Sequence, residues 1–183
     1  MQKKLSQNQP VDRPSRAEAM QAVETVIAWA GDNPNREGLI DTPKRVVDAY
    51  QEFFVGYNTA PDDILARTFE EVENYDEIIL VKNIRLESHC EHHMVPIIGK
   101  AHVAYLPNKR VVGISKLARL VDVYGKRLQT QETMTAQIAN TINNVLQPKG
   151  VHKVETTTVT TRMLGVFRDD PQAKAEFMAL INN

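Results

Sequence analysis

The stretch EIILVKNIRLESHCEHHMVPIIGKAHVAY, residues 77–105, decides the reading of this chain. Glu77 to Glu87 is rich in Ile, Leu and Val, the composition of a strand. At its end stands His89-Cys90-Glu91-His92-His93, with three of the five histidines and the only cysteine. Ala101 to Tyr105 then alternates with period two, as a half-buried strand does. Arg110 to Ile114 is apolar, and Pro107-Asn108-Lys109 between the two predicts a hairpin.

Working outward toward the C-terminus, Ser115 can cap a helix carrying Leu117, Leu120, Val121 and Tyr124 on one side. Gly125 weakens that helix without having to end it. A second helix spans roughly Gln131 to Leu146, with Met134, Ile138, Ile142 and Val145 as its stripe, and Pro148-Lys149-Gly150 stops it. Val151 to Thr161, rich in Thr and Val, predicts a strand. Pro171 to Ile181 closes the chain as a short helix behind Asp169-Asp170.

Toward the N-terminus, residues 1–15 read as a flexible arm. Met20, Val23, Val26, Ile27 and Ala30 follow a helical period, stopped at Gly31 to Pro34. Thr42-Pro43 predicts a helix start, with Thr as N-cap and Pro at the first position. The domain organisation expected is an arm over 1–15, a helical region over 16–74 and a catalytic domain over 75–183. Long antiparallel hairpins with segregated helices place the chain in the α+β class.

The 183 residues suffice for one sizeable core. A net charge of -1 gives no general attraction for nucleic acid or anionic membrane, so neither is expected as a partner. No apolar run approaches the roughly 20 residues that span a bilayer. One cysteine excludes an intrachain disulfide, which fits a reducing cytoplasm.

Three clusters carry chemistry. Thiolate and imidazole are zinc ligands, and a Cys and a His three apart in a turn can face one cation, so Cys90 and His93 are the ligand pair. His92 would then point elsewhere, free to move a proton. The bland alternative is a solvated polar loop. A catalytic zinc site needs about three protein ligands plus water, and only two are visible. Ser115, Lys116 and Arg119 put a helix start and two cations together, a setting for an anion such as a triphosphate. The alternative there is a plain cap with two solvated basic residues. Gln131 and Glu132, an amide beside a carboxylate, can meet the edge of a guanine. Glu in a first helical turn is also common for reasons of dipole alone.

Taken together, these segments resemble the GTP cyclohydrolase I family. The resemblance is carried by Cys90 to His93, Gly99 to Tyr105, Val112 to Arg119, Gln129 to Glu132, Asp41 to Val46 and Arg168 to Ile181. It implies the tunnelling fold, with subunits in sheet rings stacked as a homo-oligomer, typically a decamer in that family, and active sites between subunits. It implies Zn2+ on Cys90 and His93, and His92 in the catalytic pocket. Ser115, Lys116 and Arg119 would hold the triphosphate, and Gln131 with Glu132 the guanine of GTP. The implied reaction opens the imidazole ring of GTP, releases formate and yields 7,8-dihydroneopterin triphosphate for folate or tetrahydrobiopterin synthesis.

One departure stands out. Family members carry a strand with a His-x-Cys-Met-type motif after the turn near Gly150, followed by an Arg-Gly pair. That Cys is the third zinc ligand. Here Gly150-Val151 runs straight into His152-Lys153-Val154, which resembles the segment after that motif. About fifteen residues, a strand and a turn, are therefore missing relative to the family. His152 is the candidate substitute ligand. The competing expectation is a subunit that binds GTP or joins the oligomer without turnover.

Overall fold

The computed structural model describes residues 12–68, 77–155 and 160–182. The arm expected at 1–15 therefore lies largely outside the described residues. The chain forms two compact units that divide between Glu52 and Phe53.

In the first unit, helix α1 (Arg16–Trp29) opens on a capping box. Ser15 Oγ accepts from the Glu18 amide at 3.2 Å, and Glu18 accepts the Ser15 amide at 2.7 Å. Its apolar stripe buries nothing fully, and Val26 and Trp29 are exposed. Helix α2 (Thr42–Phe53) starts one residue ahead of the expected cap. The Arg45 amide donates to the Asp41 carbonyl at 3.1 Å, so Asp41 takes the first helical bond and Thr42 is already helical.

The second unit contains helix α3 (Pro61–Leu65), strands β1 (Ile79–Cys90) and β2 (Pro96–Leu106), and helix α4 (Ile114–Gly125). Then come β3 (Leu128–Gln129), α5 (Gln131–Leu146), β4 (Gly150–Glu155), β5 (Thr160–Gly165), α6 (Val166–Asp169) and α7 (Pro171–Asn182). The sheet runs β3-β1-β2-β4-β5, with β1 and β3 parallel and the other pairs antiparallel. The α+β class read from the sequence is the class observed.

Alternation in β2 divides the core. Ala101, Val103 and Tyr105 join Leu117, Leu120, Val121, Met134, Ile138 and Ile142 of α4 and α5. Ala104 faces Phe167, with Met163, Ala173 and Met178 packed around them. Each large side chain so buried contributes about 1.5–3 kcal/mol.

Three local expectations are corrected or made definite. First, Arg110 to Ile114 is not the second strand of a hairpin. β2 already has β1 and β4 on its two sides, and the Val112 amide is taken by the buried Tyr105 hydroxyl at 3.1 Å. Second, Gly125, expected to weaken α4 without having to end it, is the last residue of the helix. A Cβ there would meet the Glu87 carbonyl oxygen at 2.9 Å, so the helix end touches β1 where only glycine fits. Third, the single strand expected over Val151 to Thr161 is two strands. Glu155 pairs with Thr160, so β4 and β5 form a short hairpin; residues 156–159 lie outside the described ones.

Candidate active site

Strand β1 carries Cys90 on its last residue, three residues beyond Glu87, where the sequence reading had stopped it. The turn to β2 is closed by two backbone bonds. The Met94 amide donates to the Cys90 carbonyl at 2.8 Å, and the Cys90 amide donates to the Val95 carbonyl at 2.9 Å. Met94 takes a left-handed conformation, φ 57°, to complete it. Glu91 is tied sideways, its amide donating to the Gln129 carbonyl at 3.0 Å.

This turn brings the expected donors together. Cys90 Sγ lies 4.0 Å from His93 Nδ1. Ligands at zinc bond lengths on a tetrahedral ion stand about 3.5 Å apart, so this pair needs only a small closing movement. His92 differs from expectation. Its Nδ1 is 3.6 Å from the same sulfur, so it turns toward Cys90 and not away. The rings of His92 and His93 sit 6.2 Å apart, centroid to centroid. Two imidazoles on one tetrahedral ion would stand about 5 Å apart.

The other histidines are placed elsewhere. His89 is buried on the opposite face of β1, stacked on Phe53 at 4.8 Å and edge-on to Phe54 at 5.2 Å. His102 is buried on β2, accepting the Asn83 amide at 3.4 Å. Burial, then Lys82 and Lys100, hold its pKa below the ordinary value. His152 sits on β4 opposite Ala104, eight residues along β2 from Pro96 at the turn. At about 3.3 Å per residue that is roughly 26 Å of strand. His152 therefore does not substitute as a ligand within one chain. Among the described residues no group of three or more His, Cys, Asp or Glu side chains could hold a metal ion. The donors fit zinc in two positions and leave the third unfilled.

Helix α4 begins at Ile114, with Gly113 as its cap and Ser115 inside the first turn, which corrects the capping role expected of Ser115. Gly113 brings no side-chain cap, so this end keeps amide donors for an anion. Ser115 and Arg119 are exposed and Lys116 is partly so. Roughly 14 Å of helix axis separates Ser115 from Tyr124 at the other end, the end nearest the cysteine turn. Gln131 and Glu132 form the first turn of α5, capped by Thr130, whose Oγ accepts the Thr133 amide at 3.1 Å. Thr130 alone separates them from Gln129, which pairs with Cys90. The cysteine turn and the Gln131-Glu132 helix start are thus neighbours, and the basic helix start stands apart from both within one chain.

Sequence reasoning missed the supports. Arg127 donates to the carbonyls of Gly56 at 3.0 Å and Thr59 at 3.1 Å, and its guanidinium lies 5.0 Å from the Tyr124 ring centre. The Tyr57 hydroxyl accepts the Leu128 amide at 3.1 Å. No motif announces such contacts, because their partners lie about seventy residues away in sequence.

The described site is an α+β protein's Cys–His pair at a strand end, beside an amide-carboxylate helix start. The family model for GTP cyclohydrolase I matches residues 19–182. Proteins named GTP cyclohydrolase 1 from Allorhizobium ampelinum and Hyphomonas neptunium are each 54% identical. The matches take in 93% of both chains for the first, and 92% of this chain and 89% of the relative for the second. One from Maricaulis maris is 52% identical over 92% of this chain and 90% of its own. The apo form of the archaeosine synthase QueF-Like covers 48% of this chain at 19% identity and a TM-score of 0.42. The chain belongs to the GTP cyclohydrolase I family. The Allorhizobium match runs over 187 residues, yet 93% of this 183-residue chain is about 170, so the relative has about 17 residues within the match that this chain lacks. That is close to the stretch expected to be missing after Gly150.

Proposed function

We propose that this chain catalyses the hydrolytic opening of GTP to formate and 7,8-dihydroneopterin triphosphate. The observation that carries the reading is identity above one half, over more than nine-tenths of the chain, to proteins named GTP cyclohydrolase 1. Zinc, when bound, supplies a Lewis acid that makes a nucleophile of water at neutral pH. Cys90 and His93 are the residues that would hold it. His92, beside them, is placed to carry a proton to or from the purine. Gln131 and Glu132 receive the guanine edge, the carboxylate accepting from N–H groups and the amide doing both.

Ser115, Lys116 and Arg119 suit the triphosphate, and they stand at the end of α4 away from the cysteine turn of the same chain. A homo-oligomeric ring, decameric in size, in which this helix start serves a neighbour's turn, is the assembly that belongs with that reading. Among the described residues no helix is long and apolar enough to cross a membrane. A cytoplasmic enzyme supplying folate synthesis is the setting that fits.

Formate release from GTP by protein of verified intact mass, with zinc content measured on the same sample, tests the proposal. One formate per GTP is expected. Zinc-loaded protein that binds GTP and releases no formate would leave a nucleotide-binding subunit in place of an enzyme.

A further inference from the structure

Three separate pieces of the second unit meet at one buried side chain. Gln129 is 2% exposed. Its Nε2 donates to the Tyr124 carbonyl at 3.0 Å and to Gln137 Oε1 at 2.9 Å, so both amide hydrogens are used. Tyr124 lies in the last turn of α4, where carbonyls have no partner within the helix. Gln137 lies two turns into α5. The backbone of Gln129 pairs with Cys90, and its carbonyl accepts the Glu91 amide at 3.0 Å, inside the cysteine turn. Thr130 then caps α5, and Gln131 and Glu132 follow.

We propose that Gln129 is a positioning residue that sets the Cys90–His93 turn against the Gln131-Glu132 helix start. The roles of those two groups rest on the function proposed above; the coupling rests on the contacts alone. β3 is two residues long and parallel to β1, and so short a strand has little hydrogen bonding of its own to hold its register. The side chain supplies what the strand lacks. It pins the backbone to the ends of α4 and α5, and the pinned carbonyl holds Glu91. A metal donor set and a base-recognition group need placement within a fraction of an ångström, and a second layer of hydrogen bonds commonly provides it. Without the amide, the buried Tyr124 carbonyl and the half-buried Gln137 Oε1 lose their donor, and β3 can slide.

The test is native-state amide exchange on the full chain, read at Glu91, with GTP KM and the thiolate-to-cobalt absorption of the Co2+-loaded protein alongside. Gln129→Leu should speed Glu91 exchange at least tenfold, as expected for losing one buried and one half-buried hydrogen bond at a net value of about 1 kcal/mol each. It should also raise KM and shift the cobalt band. Gln137→Leu should give a smaller change, and Gln137→Glu, which keeps an acceptor for Gln129, should stay within about twofold of the parent. A Gln129→Leu protein that melts earlier yet keeps the parent's Glu91 exchange, KM and cobalt band has lost packing only, and overturns the proposal. Should Gln129→Leu not fold, equal Glu91 exchange in Gln137→Leu and Gln137→Glu overturns it as well. Faster Glu91 exchange in a protein whose parent releases no formate sinks the proposed function and leaves the coupling standing.

Discussion

The two hairpins of the sheet are unequal. β1 and β2 have 12 and 11 residues, while β4 and β5 have 6 each. Among the described residues β4 meets β2 from Leu106 back to Ala101, where Glu155 pairs. Pro96 to Lys100, about 17 Å of strand, runs on past that last pair toward the cysteine turn. The long hairpin delivers Cys90, His92 and His93 to its tip. The short one is described up to Glu155 and again from Thr160, and its His152 pairs opposite Ala104, away from the tip. The difference teaches that a fold's core and its chemistry can be separated by length alone.

The comparison can be broken most directly at the tip. Cys90→Ala should abolish zinc retention and lower formate release at least ~100-fold, since a ligand to the catalytic ion is lost. Unchanged turnover would remove the tip from the chemistry. Grafting the extra residues of the Allorhizobium relative between Gly150 and Val151 sharpens the contrast from the other side. The lengthened chain should bind zinc more tightly than the parent by more than the about 10–100-fold that an outer-shell partner is worth. Equal affinity, by competition with a chelator, would mean that the short hairpin costs the site nothing.

Gly125→Ala pushes a methyl onto the Glu87 carbonyl oxygen and the Leu86 side chain, at 2.9 and 3.1 Å. It should destabilise the long hairpin's support by about 1–3 kcal/mol, read as a shifted urea midpoint. The smallest effect lies at His102. Its pKa in the fold is lower than the ordinary 6.5, so the unfolded chain takes up a proton first as pH falls. The stability contributed is full above about pH 6.5 and is lost as pH drops below it. His102→Asn, which keeps an acceptor for Asn83, should flatten the loss between pH 7.5 and 5.5, measured by urea unfolding.

Much of this was legible from residues. The stripes of Leu117, Leu120 and Val121 and of Met134, Ile138 and Ile142 marked α4 and α5, and all six side chains are fully buried. The density of His and Cys after Glu87 marked the tip. What escaped was set by distant partners. Arg110 to Ile114 has strand composition but finds both sides of β2 taken. Ser115 has a capping side chain, yet Gly113 precedes the first helical residue. β3 has no period to read in two residues, so Gln129 passed as one letter of a motif. His152 looked like a spare ligand until the register put it opposite Ala104.

The sulfur at the tip is the chain's only thiol and is partly exposed. Any thiol-directed reagent therefore modifies one atom, and that atom is the one a bound ion would occupy. The rate of alkylation becomes a meter of metal occupancy, with no correction for other cysteines. Read against added zinc, it gives the fraction of loaded sites in a purified sample.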